Sequence, residues 1–525
     1  MMKRLQSMKT KTYAFILALG LAHPGYAALV DMAEYQDWEG VQASISTEDI
    51  NALQADGMSA LFWAVYYDQA DIVNLLIDAG ADANIANRYG LTPLIQAAIN
   101  GNGEIMSLLV DAGADPNART LQGDTALMNA SKTGALQGIQ ALLEAGAEVD
   151  ARDSYTFQTA LMWATAFNNA DIVSTLIENG ADVNARSAEL IFSGVQQGGV
   201  AGDQPNGGLT SVHHAARENA IEALEVLLAA GADPDILDPQ GISPLRVAIT
   251  NENWDLAKVL IESGANLNDG ALVDLMEAPY KKFAWQHAAK NYEDKTNVEE
   301  LTALMIEMGV DIDAVVEGAI PYFSTGFVGD KGTEGQTALY NAALGDRTET
   351  IAMLLEHGAN PNSLNKGNTP LAALFNVYTG FRPPNPANGD IVVEEPTFEE
   401  KMVIADMLFE RGADVNTTVG TGGNILHQAA AFGEDEVVEY LIEKGVDLSK
   451  KDDSGRTALD VASGIPAVGG EACARPGSPE CRSETPPELP VYESTIAILT
   501  EAMNAQGIAI EEYVAPPSEE ESGEA

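Results

Sequence analysis

A three-residue phrase returns along this chain at steps of 33 residues, and that period constrains the fold more than any local pattern does. It reads Ser59-Ala-Leu61, Thr92-Pro-Leu94, Thr125-Ala-Leu127, Thr159-Ala-Leu161, Thr210-Ser-Val212, Ser243-Pro-Leu245, Thr337-Ala-Leu339, Thr369-Pro-Leu371, Asn424-Ile-Leu426 and Thr457-Ala-Leu459. A second phrase follows each about twenty residues later, as in Gly80-Ala-Asp-Ala-Asn84, Gly113-Ala-Asp-Pro-Asn117, Gly180-Ala-Asp-Val-Asn184 and Gly412-Ala-Asp-Val-Asn416. Two registers sharing one period mean that a single supersecondary unit is copied along the chain, so 525 residues do not divide into three or four unrelated domains.

Each part of the unit has a physical task. Thr or Ser opens a helix because its hydroxyl accepts from an otherwise unpaired backbone N–H, and a following Pro removes an N–H that would have had no partner. In Asp71-Ile-Val-Asn-Leu-Leu-Ile77, apolar residues recur at three- and four-residue intervals and predict a second helix with one buried face. Gly80 is placed to end it in the left-handed conformation. Asp82, Asn84 and Asn87 suit the turn to the next unit. One such helix pair cannot bury its apolar face, but a stack can, with caps at its ends.

The organisation that follows is a leader at 1–27, a cap at 28–55, repeats 1–4 at 56–187, a loop insertion at 188–207, repeats 5–11 with their insertions and a C-terminal cap at 208–503, and an acidic tail at 504–525. Other insertions lie near 277–297, 315–334, 380–397 and 464–493, all expected as loops. The seventh repeat is the most degenerate, with Asp269-Gly-Ala-Leu272 where the opening phrase belongs.

The chain resembles the ankyrin-repeat family, whose repeat has this length and a Thr-Pro-Leu-His-x-Ala signature. The resemblance runs from about Leu29 to Met503 and implies an all-α solenoid of about eleven helix-turn-helix repeats with β-hairpin or turn connections. It implies that His213 and His427, at the signature His, hydrogen-bond between adjacent repeats. It also implies that partners are met on a concave face, by the hairpin tips and the exposed end of each first helix. Position by position, this selects Met58, Tyr66, Tyr67, Arg88, Tyr89, Leu91, Asn100, Gln122, Lys132, Thr133, Tyr155, Phe157 and Phe167. Six of the thirteen are aromatic in a chain that is 6% aromatic, and large rigid rings are favoured interface anchors. The competing reading is that some of these rings pad thin layers.

With 78 acidic and 28 basic side chains the formal charge is −50, which opposes nucleic acid and anionic lipid as partners. The first residues read as an export signal. Lys3, Arg4, Lys9 and Lys11 precede the apolar run 14–22, which is too short to span a bilayer, and Gly25-Tyr26-Ala27 places a cut after Ala27. Periplasmic or secreted delivery follows, with no membrane attachment afterwards. Cys473 and Cys481 flank Pro476, Gly477 and Pro479, so a local disulfide is expected in an oxidising compartment. Their seven-residue gap fits neither a redox pair nor a zinc site.

No nucleophile motif, phosphate-binding loop or dinucleotide fingerprint is present, and the histidines have no ligand partners at metal spacing. No cofactor and no enzyme activity are expected. The leading reading is therefore a monomeric, exported adaptor that binds a protein, to assemble, protect or inhibit it. A secreted effector acting on another cell would share every feature except destination. An enzyme hidden in the insertions is the least supported, because none exceeds about thirty residues.

Overall fold

The computed structural model describes residues 28–192, 204–277, 295–315, 336–344, 347–365, 367–375, 397–420, 422–466, 490–511 and 513. The leader, the pair Cys473 and Cys481, and the last twelve residues of the tail lie outside them. The chain divides into two compact units, Met1–Ala265 and Asn266–Ala525.

In the first unit a cap pair, Leu29–Glu34 and Trp38–Ser44, precedes repeat 1, whose helices are Ala60–Tyr66 and Ala70–Asp78. Repeats 2, 3 and 4 follow as Pro93–Asn100 with Gly103–Asp111, Ala126–Thr133 with Leu136–Glu144, and Ala160–Ala166 with Ala170–Glu178. Repeats 5 and 6 are Ser211–Glu218 with Ile221–Ala229 and Pro244–Thr250 with Trp254–Glu262. First helices pack on the neighbours' first helices and second on second. The second unit holds five further pairs, beginning at Ala271–Glu277, Ala338–Leu344, Pro370–Leu374, Ile425–Phe432 and Ala458–Ala462. Its last pair closes with Glu493–Ala505.

The helices start where their caps require. Ser59, Thr92, Thr125 and Thr159 accept from the backbone N–H three residues on at 3.1–3.4 Å, and all four are buried. Pro93, Pro244 and Pro370 occupy the first helical turn, where a missing N–H costs nothing. In the seventh repeat Asp269 replaces the hydroxyl and accepts from Ala271 N at 3.1 Å. At the other end, Gly80 has φ +88° with nothing near its missing side chain, so conformation alone selects glycine there.

The core repeats in layers. Leu61, Leu94, Leu127 and Leu161 are all but sealed from solvent, as are Leu76, Leu109, Leu142 and Leu176 of the second helices. Thin layers allow close approach: Gly138 sits so near Met106 that a Cβ would lie 2.4 Å from its sulfur.

The conserved spelling of the second phrase has a separate cause, which the sequence reading missed. Asn84 accepts from Asp115 N at 2.7 Å and donates to the Gly113 carbonyl at 3.0 Å, so one amide satisfies two backbone groups of the next repeat. Asn117 does the same to Glu148 N and the Gly146 carbonyl. The ladder begins at Asn51 and recurs in the second unit, where Asn362 bridges Asp414 N and the Gly412 carbonyl. Where Asp150 replaces the amide, the link to Asp182 N survives at 3.1 Å, but a carboxylate has no proton to donate to a carbonyl.

One insertion differs from expectation. The segment 188–207, expected as a loop, begins and ends in a two-stranded antiparallel pair, β1 (Glu189–Phe192) with β2 (Gln204–Gly207). The pair is anchored at its base, where Ala188 N donates to the Thr156 carbonyl and Gly208 N to the Ala188 carbonyl.

Candidate protein-binding surface

Repeats 1–4 present two rows of side chains along the stack: the hairpin tips before each first helix, and the C-terminal ends of those helices. Lys132, on a helix end, lies 3.9 Å from Asp124 beside a tip, which places both rows on one side of the stack.

The tip row is strongly exposed. Tyr89 is 51% accessible and Tyr155 78%. Arg88 donates to the Tyr89 hydroxyl at 2.6 Å and lies 4.7 Å from its ring centre. Gln122 is exposed, with its carbonyl taken by Ser154 N at 2.9 Å, and Leu91 is half-buried. Phe157 is 46% exposed and has φ +56°. Met58 does not belong to this surface: it is buried beneath its tip, with the Asn87 amide 3.7 Å from its sulfur.

The helix-end row divides. Tyr66 and Phe167 are exposed, at 43% and 55%. Tyr67 turns inward, stacked on Trp63 and edge-on to Trp38, with its hydroxyl donating to the Glu34 carbonyl at 3.2 Å, so it ties repeat 1 to the cap. Asn100 is fully used in stapling: it donates to the Val65 carbonyl at 2.9 Å and to Asp68 at 3.0 Å, and accepts from Gln96. Thr133, though exposed, donates to the Ala98 carbonyl at 3.0 Å. Lys132 covers the Trp163 ring at 3.8 Å, a cation–π pair. Sequence reasoning also passed over two exposed aliphatics on these rows, Leu121 at 71% and Ile99 at 44%. Ile99 holds the position of Tyr66 and Lys132, so carrying the register through every repeat would have found it.

At the tip of repeat 4 the Asp153 carboxylate is buried and accepts from Tyr155 N, Thr156 N, Thr156 Oγ1 and Gln158 N at 2.6–2.8 Å. Burial alone would raise its pKa, but those hydrogen bonds outweigh burial and hold it below the ordinary aspartate value.

His213 and His427 take the role the resemblance implied. His213 Nε2 donates to the Ile242 carbonyl of the next repeat at 3.2 Å, and its Nδ1 accepts from Thr210 N at 3.2 Å. His427 repeats this with the Arg456 carbonyl and Asn424 N. Burial lowers both pKa values against the opposing carbonyls, so both rings stay neutral near neutral pH. His214 points elsewhere, 3.2 Å from Arg217, and burial with that cation lowers its pKa to about 3. Among the described residues no group of three or more His, Cys, Asp or Glu is placed to hold a metal ion, and no helix is long and apolar enough to cross a membrane.

A model of triple ankyrin repeats matches residues 29–120, 115–187, 189–271 and 399–468, more than half of the chain, and a single-repeat model matches 334–366. The chain belongs to the ankyrin-repeat family. Ankyrin-repeat relatives include human transient receptor potential cation channel subfamily A member 1, 24% identical over 279 residues, which are 49% of this chain and 23% of that one. Human Rabankyrin-5 is 24% identical over 288 residues, covering 53% of this chain and 23% of the relative. Human neurogenic locus notch homolog protein 2 is 32% identical over 180 residues, covering 33% and 6%. This ankyrin chain thus spans less than a quarter of each of these relatives. Ankyrin repeats generally mediate protein–protein binding.

Proposed function

We propose that this chain is an exported ankyrin-repeat adaptor that holds a protein partner against the tip side of repeats 1–4, in the periplasm or outside the cell, to assemble, protect or inhibit it. The observation that carries the reading is the exposure of Tyr66, Tyr89, Tyr155, Phe157 and Phe167 on two adjacent rows. Tyr66 and Phe167 each rest one side on a tryptophan of their own helix, Trp63 and Trp163, and the area left in water is what a partner would cover, gaining apolar burial from side chains with few rotamers to lose. The basic leader before the apolar run at 14–22 supports export, and in that compartment Cys473 and Cys481 would close a local staple.

A photo-cross-linking side chain at Gln122, between Tyr89 and Tyr155, should trap one major protein in intact cells. Changing Tyr66, Tyr89 and Tyr155 to Ala should abolish the capture and leave the helical circular dichroism unchanged. Undiminished capture by the triple variant would remove the function from this surface. Mass measurement of the mature chain should begin at Ala28; an intact Met1 in the cytosol would refute export. Protein found in the medium and bound to other cells would favour an effector over an adaptor.

A further inference from the structure

The tip of repeat 4 departs from its neighbours in three ways at once. Thr125 to Thr159 is 34 residues where the preceding steps are 33, so this hairpin carries one extra residue. The position two before the cap is glycine in eight other repeats among the described residues, with φ between +63° and +85°, and here it is Phe157 at φ +56°. A bulky residue is disfavoured in that region, and the Phe157 ring stays 46% exposed rather than buried in the core. The turn is held in place by Asp153, whose carboxylate, 6% exposed, receives four hydrogen bonds, one from Tyr155, two from Thr156 and one from Gln158. A buried, ionised side chain thus maintains a strained turn that displays Tyr155 and Phe157.

The charge around this surface is one-sided. Residues 28–187 contain twenty-two carboxylates and five basic side chains. Each of the five basic groups holds a contact within the chain. Arg88 lies on Tyr89 and Lys132 on Trp163. Arg119 donates to the Arg152 carbonyl at 2.9 Å, Arg152 to the Arg186 carbonyl at 2.7 Å, and Arg186 to the carbonyls of Gly208 and Leu237. These contacts leave the five cations charged but far outnumbered by carboxylates, so the acidic excess favours an occupant carrying Lys or Arg, and exposed ring faces accept those groups as well as apolar ones.

We propose that Tyr155 and Phe157 form the anchor of the binding surface, and that the occupant is an extended protein segment carrying Lys or Arg among apolar residues. This rests on the protein-binding reading above and narrows it to one tip and one partner chemistry. Phe157 acts as a specificity-determining residue kept at the expense of stability.

The test selects a random dodecapeptide library displayed on phage against the full-length chain, at low salt and at 0.3 M salt, and re-measures winning peptides on two variants. Enriched sequences should be basic and apolar. Their affinity should fall about tenfold or more in Tyr155→Ala/Phe157→Gly and stay unchanged in Leu364→Ala of the second unit, as for loss of an interface anchor. Phe157→Gly alone should also raise the melting temperature, which a merely structural Phe would lower. Neutral or acidic winners overturn the partner chemistry. Basic winners that bind the double variant equally overturn the anchor but leave protein binding in place. No enrichment over the bare surface overturns this proposal and the broader reading together.

Discussion

The two units are built by the same rules and finished differently. In both, buried Thr or Ser caps open most first helices, leucines fill the layers, and Asn or Asp side chains link each repeat to the next, from Asn51 to Asn184 in one and from Asn268 to Asn416 in the other. In the first, five aromatic rings on repeats 1–4 are exposed. In the second, the exposed large apolar side chains among the described residues are Met308, Val315, Leu364, Val403, Phe432, Val491 and Ile510, with a single ring. Since the described repeats of the second unit stack with a single exposed ring, the rings of the first are not a requirement of stacking. That comparison weakens the view that they pad thin layers. Tyr67 is the instructive exception, because its ring is packed and its hydroxyl is used.

The largest effect should be blind to the difference between units. Leu127→Ala and Leu426→Ala each empty a sealed layer, at 1% exposure, and each should cost about 2–5 kcal/mol in urea unfolding of the full chain. A much smaller cost in one unit would mean that its layers do not share a core.

Acid should separate the units. The first holds His213 and His214, the second His427, all with pKa values lowered by burial. Each unfolded ring takes a proton near pH 6.5 that the folded ring refuses, so stability is complete above that pH and falls as the pH drops. His214, with Arg217 and His213 opposing its charge and a folded pKa of about 3, should by itself remove on the order of 3 kcal/mol between pH 6.5 and about pH 4. The pH slope of stability should flatten most in His214→Leu and less in His427→Leu. Equal slopes in both variants would contradict this assignment.

The smallest effect concerns one rung of the ladder. Asp150→Asn restores an amide that can donate to the Gly180 carbonyl while still accepting from Asp182 N, as Asn84 and Asn117 do with their neighbours. It also removes one charge from a strongly acidic chain, and should add about 0.5–1 kcal/mol by thermal unfolding. A loss of stability would show that the carboxylate has a use the ladder does not explain.

The sequence carried the fold well because repetition multiplies weak local signals. Thr92 and Pro93 alone suggest a helix start, but ten such phrases in register leave little choice of architecture. The roles of His213 and His427 were legible for the same reason. The candidate surface was only partly so, because exposure depends on χ angles and on neighbours in the next repeat. Met58 and Tyr89 both belong to tip segments, yet one lies beneath the turn and the other stands out from it. Asn100 looked like a contact residue and proves to be a staple, since its partners, Val65 and Asp68, lie more than thirty residues away. The strain at Phe157 was visible as a broken glycine column, a signal that needs the tips aligned on one another. The hairpin at β1 and β2 was hidden because Gln204-Pro-Asn-Gly207 has no strand-like pattern.

The central claim is that the first unit carries the binding surface and the second carries stacking alone. Hydrogen exchange of the full chain, free and saturated with its cross-linked partner, tests it most directly. Slowed exchange should appear at the tips 88–91, 121–124 and 153–158, with no change at 364–368, 419–423 and 452–456. Protection confined to the second set, or spread evenly over both, would contradict it.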